Sequence, residues 1–199
     1  MAVVGLFARP PRVGKVKTRL IPALGAETAT RVYRYCLEHA LDVTRAAAID
    51  YRIFLSETGD DPAFSGEVCL LQHGEDLGER MFNALRELLT AQPDGAMIIG
   101  SDCLDLEARH LHEATSALLD HELVLLPAID GGYALIGCLR IDARLFHGVR
   151  WSTEHTCDDT LVNARKLGWR VRLLDMVRDI DRPEDLTHYP GLVALTTQN

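Results

Sequence analysis

The sequence predicts an α/β protein with a mostly parallel sheet. Three observations lead to this prediction: apolar runs alternate with helical patterns through most of the chain, the first run is uninterrupted, and glycine- and proline-containing segments separate the elements. An uninterrupted apolar run is typical of a strand buried on both faces, as in parallel sheets. With 199 residues, the chain can enclose one sizeable core, and we expect a single domain over residues 1–199.

The individual elements follow from the spacing of apolar residues along the chain. Residues 2–7 form the first apolar run and are predicted to be the central strand. Prolines and glycines then keep the chain irregular up to the first long helical pattern. The other predicted strands are 51–56, 68–71, 96–100, 123–127, 133–139 and 170–174, and the predicted helices are 26–47, 77–91, 107–119 and 157–167.

Positive charge is concentrated between residues 9 and 19. Five basic residues and no acidic one lie there, although the whole chain has 21 Lys and Arg against 29 Asp and Glu, a formal net charge of -8. The overall balance argues against nucleic acid as the main partner, because binding a phosphate backbone needs a basic surface. The local excess suits a small anionic ligand.

The cysteines and the apolar segments indicate a cytoplasmic protein. The five cysteines are widely spaced and include no CxxC pair, which is typical of reduced thiols. The opening apolar run is shorter than a signal-peptide core, and its basic residues follow it instead of preceding it. No stretch is long and uncharged enough to span a bilayer. The oligomeric state is not predicted.

The first chemical motif is FARPPRVGKVKTRL, residues 7–20. It begins at the carboxyl end of the first predicted strand, where open α/β sheets place their ligands. Gly14 allows close backbone approach, and the cations around it suit a di- or triphosphate. A Walker A loop would need glycine at Arg9 and a hydroxyl at Val16, so a P-loop kinase is unlikely. A solvated basic loop is the alternative interpretation.

The second motif is IIGSDCLDL, residues 98–106, in which Asp102 follows a predicted buried strand. Magnesium takes hard oxygen ligands and typically one or two protein carboxylates, with phosphates and water completing the shell. Asp102 is the best-placed ligand by this argument. The alternative is that Asp102 or Asp105 caps the helix beginning near Glu107, and for Asp105 we favour the cap.

The third motif is DIDRPEDL, residues 179–186, after the last predicted strand. Asp181 could complete a metal shell together with Asp102. Asp181 and Glu184 also have the spacing of a capping box, with Pro183 in the first helical turn. Both interpretations remain open at this point.

Two glycine-containing motifs also have a structural and a functional interpretation. In LPAIDGGYALIG, residues 126–137, the glycines after Asp130 suit a hairpin turn, or they let backbone amides approach an acceptor while Asp130 contacts its hydroxyl or the metal. In QHGEDLGERM, residues 72–81, an anion could bind at the helix start. Asp76 with Glu79 three residues later favours an N-cap there.

Taken together and in order, these motifs resemble those of a bacterial family of proposed glycosyltransferases in the nucleotide-diphospho-sugar transferase superfamily. The resemblance includes WST at residues 151–153 and spans nearly the whole chain. It implies a Rossmann-like GT-A fold with three α/β/α layers, and kinship with guanylyltransferases that act on molybdopterin or phospholactate. Two residues depart from the family pattern: Leu104 replaces a usual proline, and Arg182 replaces a usual threonine before Pro183.

The resemblance also implies roles for individual residues. Asp102 and Asp181 are expected to hold Mg2+ or Mn2+. The expected nucleotide-binding residues are Phe7, Ala8, Arg9, Gly14, Lys15, Lys17, Thr18, Arg19, Gln72, Gly74 and Ser101. The expected acceptor-binding residues are Asp130, Gly131, Gly132, Tyr133, Trp151 and Ser152.

The predicted function is transfer of a glycosyl group from a nucleotide-activated donor to a small acceptor. Lys17 or Arg19 and the metal would stabilise the departing diphosphate, and Asp130 would act as the base. One alternative is nucleotidyl transfer, in which a nucleoside triphosphate loses pyrophosphate. Another is a regulatory module that binds a nucleotide without turnover. The base, the sugar and the acceptor are not encoded in a recognisable pattern.

Overall fold

The computed structural model describes residues 2–192, in which a seven-stranded sheet lies between two layers of helices. The strands are β1 Val3–Ala8, β2 Tyr51–Leu55, β3 Cys69–Leu71, β4 Ala96–Gly100, β5 Leu123–Pro127, β6 Tyr133–Cys138 and β7 Val171–Leu173. The helices are α1 Ile21–Leu24, α2 Ala26–Ala46, α3 Leu77–Ala91, α4 Ala108–Ala117 and α5 Thr156–Lys166. Every strand and long helix predicted from the sequence is present, with ends that differ by at most two residues.

The sheet is mixed and mostly parallel, as predicted. Its order is β3-β2-β1-β4-β6-β5-β7, and β6 alone runs antiparallel to its neighbours β4 and β5. The first strand lies inside the sheet, but the expectation that it is the central strand is wrong, because β4 has three strands on either side. Strand order reverses at β1, since β2 lies on one side of it and β4 on the other.

Successive side chains of each strand point to opposite faces of the sheet and form two buried apolar layers, one on each face. On β1, Val4 and Leu6 pack in the cluster that includes α2 and α4, whereas Val3 packs in the cluster that includes α3 and α5. Removing such a side chain from water stabilises the fold by roughly 1.5–3 kcal/mol. The helices on both faces leave the carboxyl edge of the sheet uncovered, and the loops after β1 and β4 meet there.

Asp76 has the predicted capping role, whereas Asp105 does not. The Asp76 carboxylate accepts a hydrogen bond from the backbone N–H of Glu79 at 2.8 Å, at the start of α3. The Asp105 carboxylate instead accepts from the backbone N–H of Arg178 at 2.9 Å and from the hydroxyl of Tyr189 at 2.8 Å. Asp105 therefore anchors the segment after β7 and does not cap α4.

The sequence predicts no segment that is long and apolar enough to span a membrane. Within residues 2–192, no helix combines the length and the apolar character needed to cross a bilayer.

Candidate functional site

A cavity of about 570 Å³ opens at the carboxyl ends of β1 and β4. This edge is where the strand order reverses, and open α/β sheets bind their ligands at such a point. The cavity walls also include the turn between β5 and β6 and the segments around residues 151–153 and 179–181. Motifs that are far apart in the sequence therefore meet in one place.

Most of the residues singled out in the sequence line this cavity. They are Phe7, Ala8, Arg9, Lys15, Lys17, Thr18, Arg19, Gln72, Ser101, Asp102, Asp130, Gly132, Tyr133, Trp151, Ser152 and Asp181. Gly14, Gly74 and Gly131 do not line it. Gly14 has a φ of 78°, and no atom lies within 4 Å of a Cβ built there. The loop therefore uses glycine at this position for its left-handed backbone and not because a side chain would clash.

Lys17 joins the basic loop to the end of β4. Its backbone is left-handed, with φ 44° and ψ 45°, and its ammonium lies 3.3 Å from Asp102 Oδ2. The ammonium also donates a hydrogen bond to the carbonyl of Ile180. The side chain is only 5% exposed. Burial disfavours its charge, but the surrounding acidic groups, Asp102 foremost and Asp181 with it, together outweigh this effect, so the pKa of Lys17 is raised and the ammonium stays charged.

The segment after β7 reaches the same place through Ile180 and Asp181. The backbone N–H of Ile180 donates to the carbonyl of Asp102 at 3.1 Å, and Asp181 pairs with Arg19. Of the two interpretations left open for Asp181, the helix cap is wrong, because the N-cap is Arg182. The Asp185 carboxylate accepts the backbone N–H groups of Asp181 and Arg182, at 3.0 and 2.8 Å, and leaves the Asp181 side chain at the cavity.

Tyr33 of α2 fixes the ends of β1 and β4 relative to each other. Its hydroxyl accepts from the backbone N–H of Arg9 at 2.7 Å and donates to the Arg9 carbonyl at 3.0 Å. The hydroxyl of Ser101 lies 3.1 Å away. Because Tyr33 is buried, these hydrogen bonds form away from solvent and hold the floor of the cavity in one geometry.

Two further carboxylates face the cavity without a cation partner among the described residues. Asp130 Oδ1 accepts the backbone N–H of Gly132 at 2.8 Å, which stabilises the turn between β5 and β6. The hairpin interpretation of this motif is therefore correct, and the turn lines the cavity as well. Burial, and then the negative charges of Asp130 and Asp102, raise the pKa of Asp179 to about 6.

The raised pKa of Asp179 makes stability depend on pH in a defined direction. The folded protein binds a proton at Asp179 more tightly than the unfolded chain, so this contribution to stability is lost as the pH rises from 3.8 to about 6. We expect Asp179→Asn to be more stable than the wild type above pH 6 in metal-free buffer, and the difference to shrink at lower pH. Melting temperatures between pH 4 and 8 check this, and a variant less stable at pH 7.5 would contradict it.

The loop that carries Trp151 and Ser152 is held against the turn between β5 and β6. The backbone N–H of Cys157 donates to the carbonyl of Gly131 at 2.9 Å. A Cβ at Gly131 would lie only 2.2 Å from the carbonyl oxygen of Glu154. Gly131 thus serves the site through this close contact and not by lining the cavity.

The far wall of the cavity comes from the first turn of α3. A Cβ at Gly78 would lie 2.6 Å from the ring of Trp151, so glycine lets the indole pack on this turn. Arg80 lines the cavity nearby and donates from Nε to the carbonyl of Gly74 at 3.1 Å. It forms no ion pair with a carboxylate of the described chain. The wall therefore combines an aromatic ring with a guanidinium group.

Tyr133 contributes its ring to the cavity, but its hydroxyl does not face the space where an acceptor would bind. The hydroxyl oxygen is buried, and it lies close to Thr160, Cys138 and Cys157 in the layer under α5. Burial raises the pKa of this hydroxyl. The expected contact of Tyr133 with an acceptor is therefore limited to the ring.

Sequence reasoning missed Tyr33, Arg80 and Asp179. Tyr33 lies in a helical pattern that shows no chemical motif, whereas Arg80 lies within QHGEDLGERM but was not singled out there. The contacts of both residues become visible only when the chain is folded. Asp179 is the first residue of the motif DIDRPEDL, and the position of this motif after the last predicted strand was a usable signal.

The comparisons with protein families give one match, and no curated protein matches the chain. A family model described as "Uncharacterized protein conserved in bacteria (DUF2064)" matches residues 39–153. This range includes Asp102, the turn between β5 and β6, and the segment 151–153. The basic loop of residues 9–19 lies outside it.

Several solved structures share the fold. A protein from Desulfovibrio desulfuricans G20, provisionally assigned as a nucleotide-diphospho-sugar transferase, is 26% identical with a TM-score of 0.88 over 98% of this chain and 96% of its own. CMP:2-keto-3-deoxy-manno-octonic acid synthetase in complex with CTP is 12% identical with a TM-score of 0.56 over 97% and 98%. 4-Diphosphocytidyl-2C-methyl-D-erythritol synthase from Anaerococcus prevotii DSM 20548 is 12% identical with a TM-score of 0.58 over 97% and 98%. The last two show similarity of fold alone.

Proposed function

Because the chain belongs to the DUF2064 family of bacterial proteins and has a transferase-type fold, we propose that it transfers a glycosyl group from a nucleotide-diphospho-sugar with the help of Mg2+ or Mn2+. The broader assignment, a transferase that uses a nucleotide, rests on its similarity to the Desulfovibrio protein. The observation that carries the proposal is the convergence of Lys17, Arg19, Asp102 and Asp181 in one cavity at the carboxyl edge of the sheet.

The donor diphosphate fits beside the basic loop. Lys15, Lys17 and Arg19 all line the cavity there, and ammonium and guanidinium groups both bind phosphate oxygens. Four carboxylates line the same cavity, so a diphosphate would meet negative charge as well. A divalent cation held by Asp102 and Asp181 would offset this repulsion, which is the electrostatic argument for a metal.

The residues present suit such a metal. The Asp102 side chain is 49% exposed and the Asp181 side chain is 32% exposed. A third oxygen atom is the backbone carbonyl of Ile180, the residue before Asp181. All three groups are hard oxygen donors. The Lys17 ammonium already places a positive charge against two of them, the Asp102 carboxylate and the Ile180 carbonyl. Among residues 2–192, no group of three or more His, Cys, Asp or Glu side chains is arranged as a metal site. Phosphate oxygens and water therefore have to complete the shell.

The proposed reaction exchanges one bond for another at the anomeric carbon. The acceptor hydroxyl oxygen bonds to that carbon, the bond from the carbon to the phosphate oxygen breaks, and a nucleoside diphosphate leaves. Arg19 and Lys17 stabilise the charge on the leaving diphosphate, and a bound metal adds Lewis-acid stabilisation of the same charge. Asp130 takes the hydroxyl proton through Oδ2, because Oδ1 is engaged by the Gly132 N–H.

The acceptor fits beside the turn between β5 and β6. Asp130, Trp151 and Ser152 line this side of the cavity. The Trp151 ring offers an apolar face on which a sugar or another ring can stack, while Asp130 offers a hydrogen-bond acceptor for a hydroxyl group. A small polar acceptor with an apolar face is the class that this wall favours.

Product analysis tests the proposed function and separates it from its rivals. The purified protein is first screened for melting-temperature shifts with nucleotides and nucleotide sugars, with and without Mg2+ or Mn2+. The stabilising donors are then incubated with a panel of small hydroxyl acceptors. Release of nucleoside diphosphate together with a glycosylated product is the expected result. Pyrophosphate release from a triphosphate indicates nucleotidyl transfer, and binding with no donor consumed indicates a regulatory module.

A further inference from the structure

The ammonium of Lys17 occupies the oxygen atoms that the proposed metal would use. It lies 3.3 Å from Asp102 Oδ2 and donates to the Ile180 carbonyl. The Lys17 side chain is 5% exposed and the Asp102 side chain is 49% exposed, so solvent reaches this contact mainly from the side of the carboxylate. The positive charge that contacts these oxygen atoms thus belongs to the chain itself.

We infer that Lys17 and a divalent cation compete for Asp102, so that the chain binds the metal well only when a nucleotide draws Lys17 away. This inference rests on the proposed function, because it takes Asp102 as the metal ligand and the diphosphate as the second partner of Lys17. Two like charges in contact with the same carboxylate repel each other, and the burial of Lys17 keeps water from screening this repulsion fully. The metal therefore either displaces the Lys17 ammonium from the Asp102 carboxylate or does not bind.

The entering diphosphate gives the displaced ammonium a new partner. Lys17 lines the cavity together with Lys15 and Arg19, so its flexible four-carbon stem can redirect the ammonium to a phosphate without leaving the site. Metal binding frees Lys17 for the phosphate, and the phosphate holds Lys17 away from Asp102. By thermodynamic linkage, each ligand must then raise the affinity for the other by the same factor.

The other charged groups at the cavity fit this arrangement. Arg19 is paired with Asp181, so it leaves the Asp102 carboxylate to Lys17. Lys15 lies in the same loop but contacts no carboxylate among the described residues, so it offers a matched control. Removing the Lys15 charge should weaken the attraction of the loop for phosphates, but it should not make the carboxylate oxygen atoms of Asp102 accessible to a cation.

The test is Mn2+ binding by the full-length, metal-free protein in the absence of nucleotide. Mn2+ affinity is measured by isothermal titration calorimetry, with electron paramagnetic resonance of free Mn2+ as a second readout. We expect K17M to bind Mn2+ on the order of tenfold more tightly than the wild type, because a like charge is removed from the site. K15M should have wild-type Mn2+ affinity. K17Q, which retains a hydrogen-bond donor for the Ile180 carbonyl, should behave like K17M.

Melting temperatures, measured with and without Mn2+, show whether the Lys17 variants are folded. Removing Lys17 leaves Asp102 without its partner, so both variants should melt at a lower temperature and regain stability with Mn2+ by more than the wild type does. Mn2+ affinity in either folded variant that equals or falls below the wild-type value would overturn the inference. Absence of Mn2+ binding in all variants would overturn it as well. The proposed function is judged separately, by nucleoside diphosphate release from the wild type, and it fails if no donor is consumed.

Discussion

Asp102→Asn is expected to lower kcat/KM for donor consumption on the order of 100-fold or more, since one carboxylate serves both the metal and Lys17. Asparagine keeps the size of the side chain and one oxygen but loses the negative charge. The ammonium of Lys17 then loses its ion pair, and the proposed metal loses its main ligand. Initial rates of nucleoside diphosphate release at varied Mn2+ concentrations measure the effect.

The matched control for this variant is Asp60→Asn, which removes a carboxylate from an exposed position outside the cavity. It should leave the rate and the Mn2+ dependence unchanged. Asp102→Asn with unaltered Mn2+ dependence would show that Asp102 is not a metal ligand. A far-UV circular dichroism spectrum and a melting curve of each variant establish that both are folded.

Gly131→Ala is expected to cause the largest loss of stability at the site. Gly131 has a φ of 89°, and a Cβ there would lie 2.2 Å from the carbonyl oxygen of Glu154 and 2.5 Å from its Cα and carbonyl carbon. All three contacts are backbone atoms, which cannot turn aside as a side chain does. The left-handed backbone and the overpacking together should lower the free energy of unfolding by about 2–5 kcal/mol.

Gly148→Ala is the control for the Gly131 variant. Gly148 also has a positive φ, 69°, but no atom lies within 4 Å of a Cβ built there. Only the backbone cost applies, so the loss should be about 1–2 kcal/mol. Urea unfolding followed by circular dichroism compares the two variants with the wild type. Equal losses would mean that the segment around Glu154 moves freely away from the turn.

The Gly131 substitution should also affect the acceptor side of the cavity. Moving the Glu154 backbone shifts the loop that carries Trp151 and Ser152, because these residues lie three and two positions before it. We therefore expect a weakened acceptor interaction in any folded Gly131→Ala protein, whereas donor binding at the basic loop should be affected less.

Much of the fold could be predicted because apolar spacing reports burial directly. The continuous run of residues 2–7 predicts a strand with two covered faces, and Val4 and Leu6 are fully buried in the structure. The position of that strand in the sheet order could not be predicted. Strand order depends on which edges pair, and the antiparallel insertion of β6 beside β4 has no signature in the apolar pattern.

The site was predictable where a motif follows a strand, because such loops all reach one edge of the sheet. Asp102 and Lys17 lie 85 positions apart in the chain and yet form an ion pair. The cap favoured for Asp105 and the cap left open for Asp181 were both wrong, because each side chain pairs with a group far away in the sequence. Capping spacing is local, whereas the partners that Asp105 actually has, Arg178 and Tyr189, come from a distant segment.

A crystal structure with a nucleoside diphosphate and Mn2+ tests the central claim most directly. The anomalous signal of Mn2+ locates the ion independently of the refined atoms. We expect an anomalous peak in contact with the carboxylates of Asp102 and Asp181, with the diphosphate beside Lys15, Lys17 and Arg19. A nucleotide bound away from this cavity, or a Mn2+ peak that contacts neither carboxylate, would contradict it.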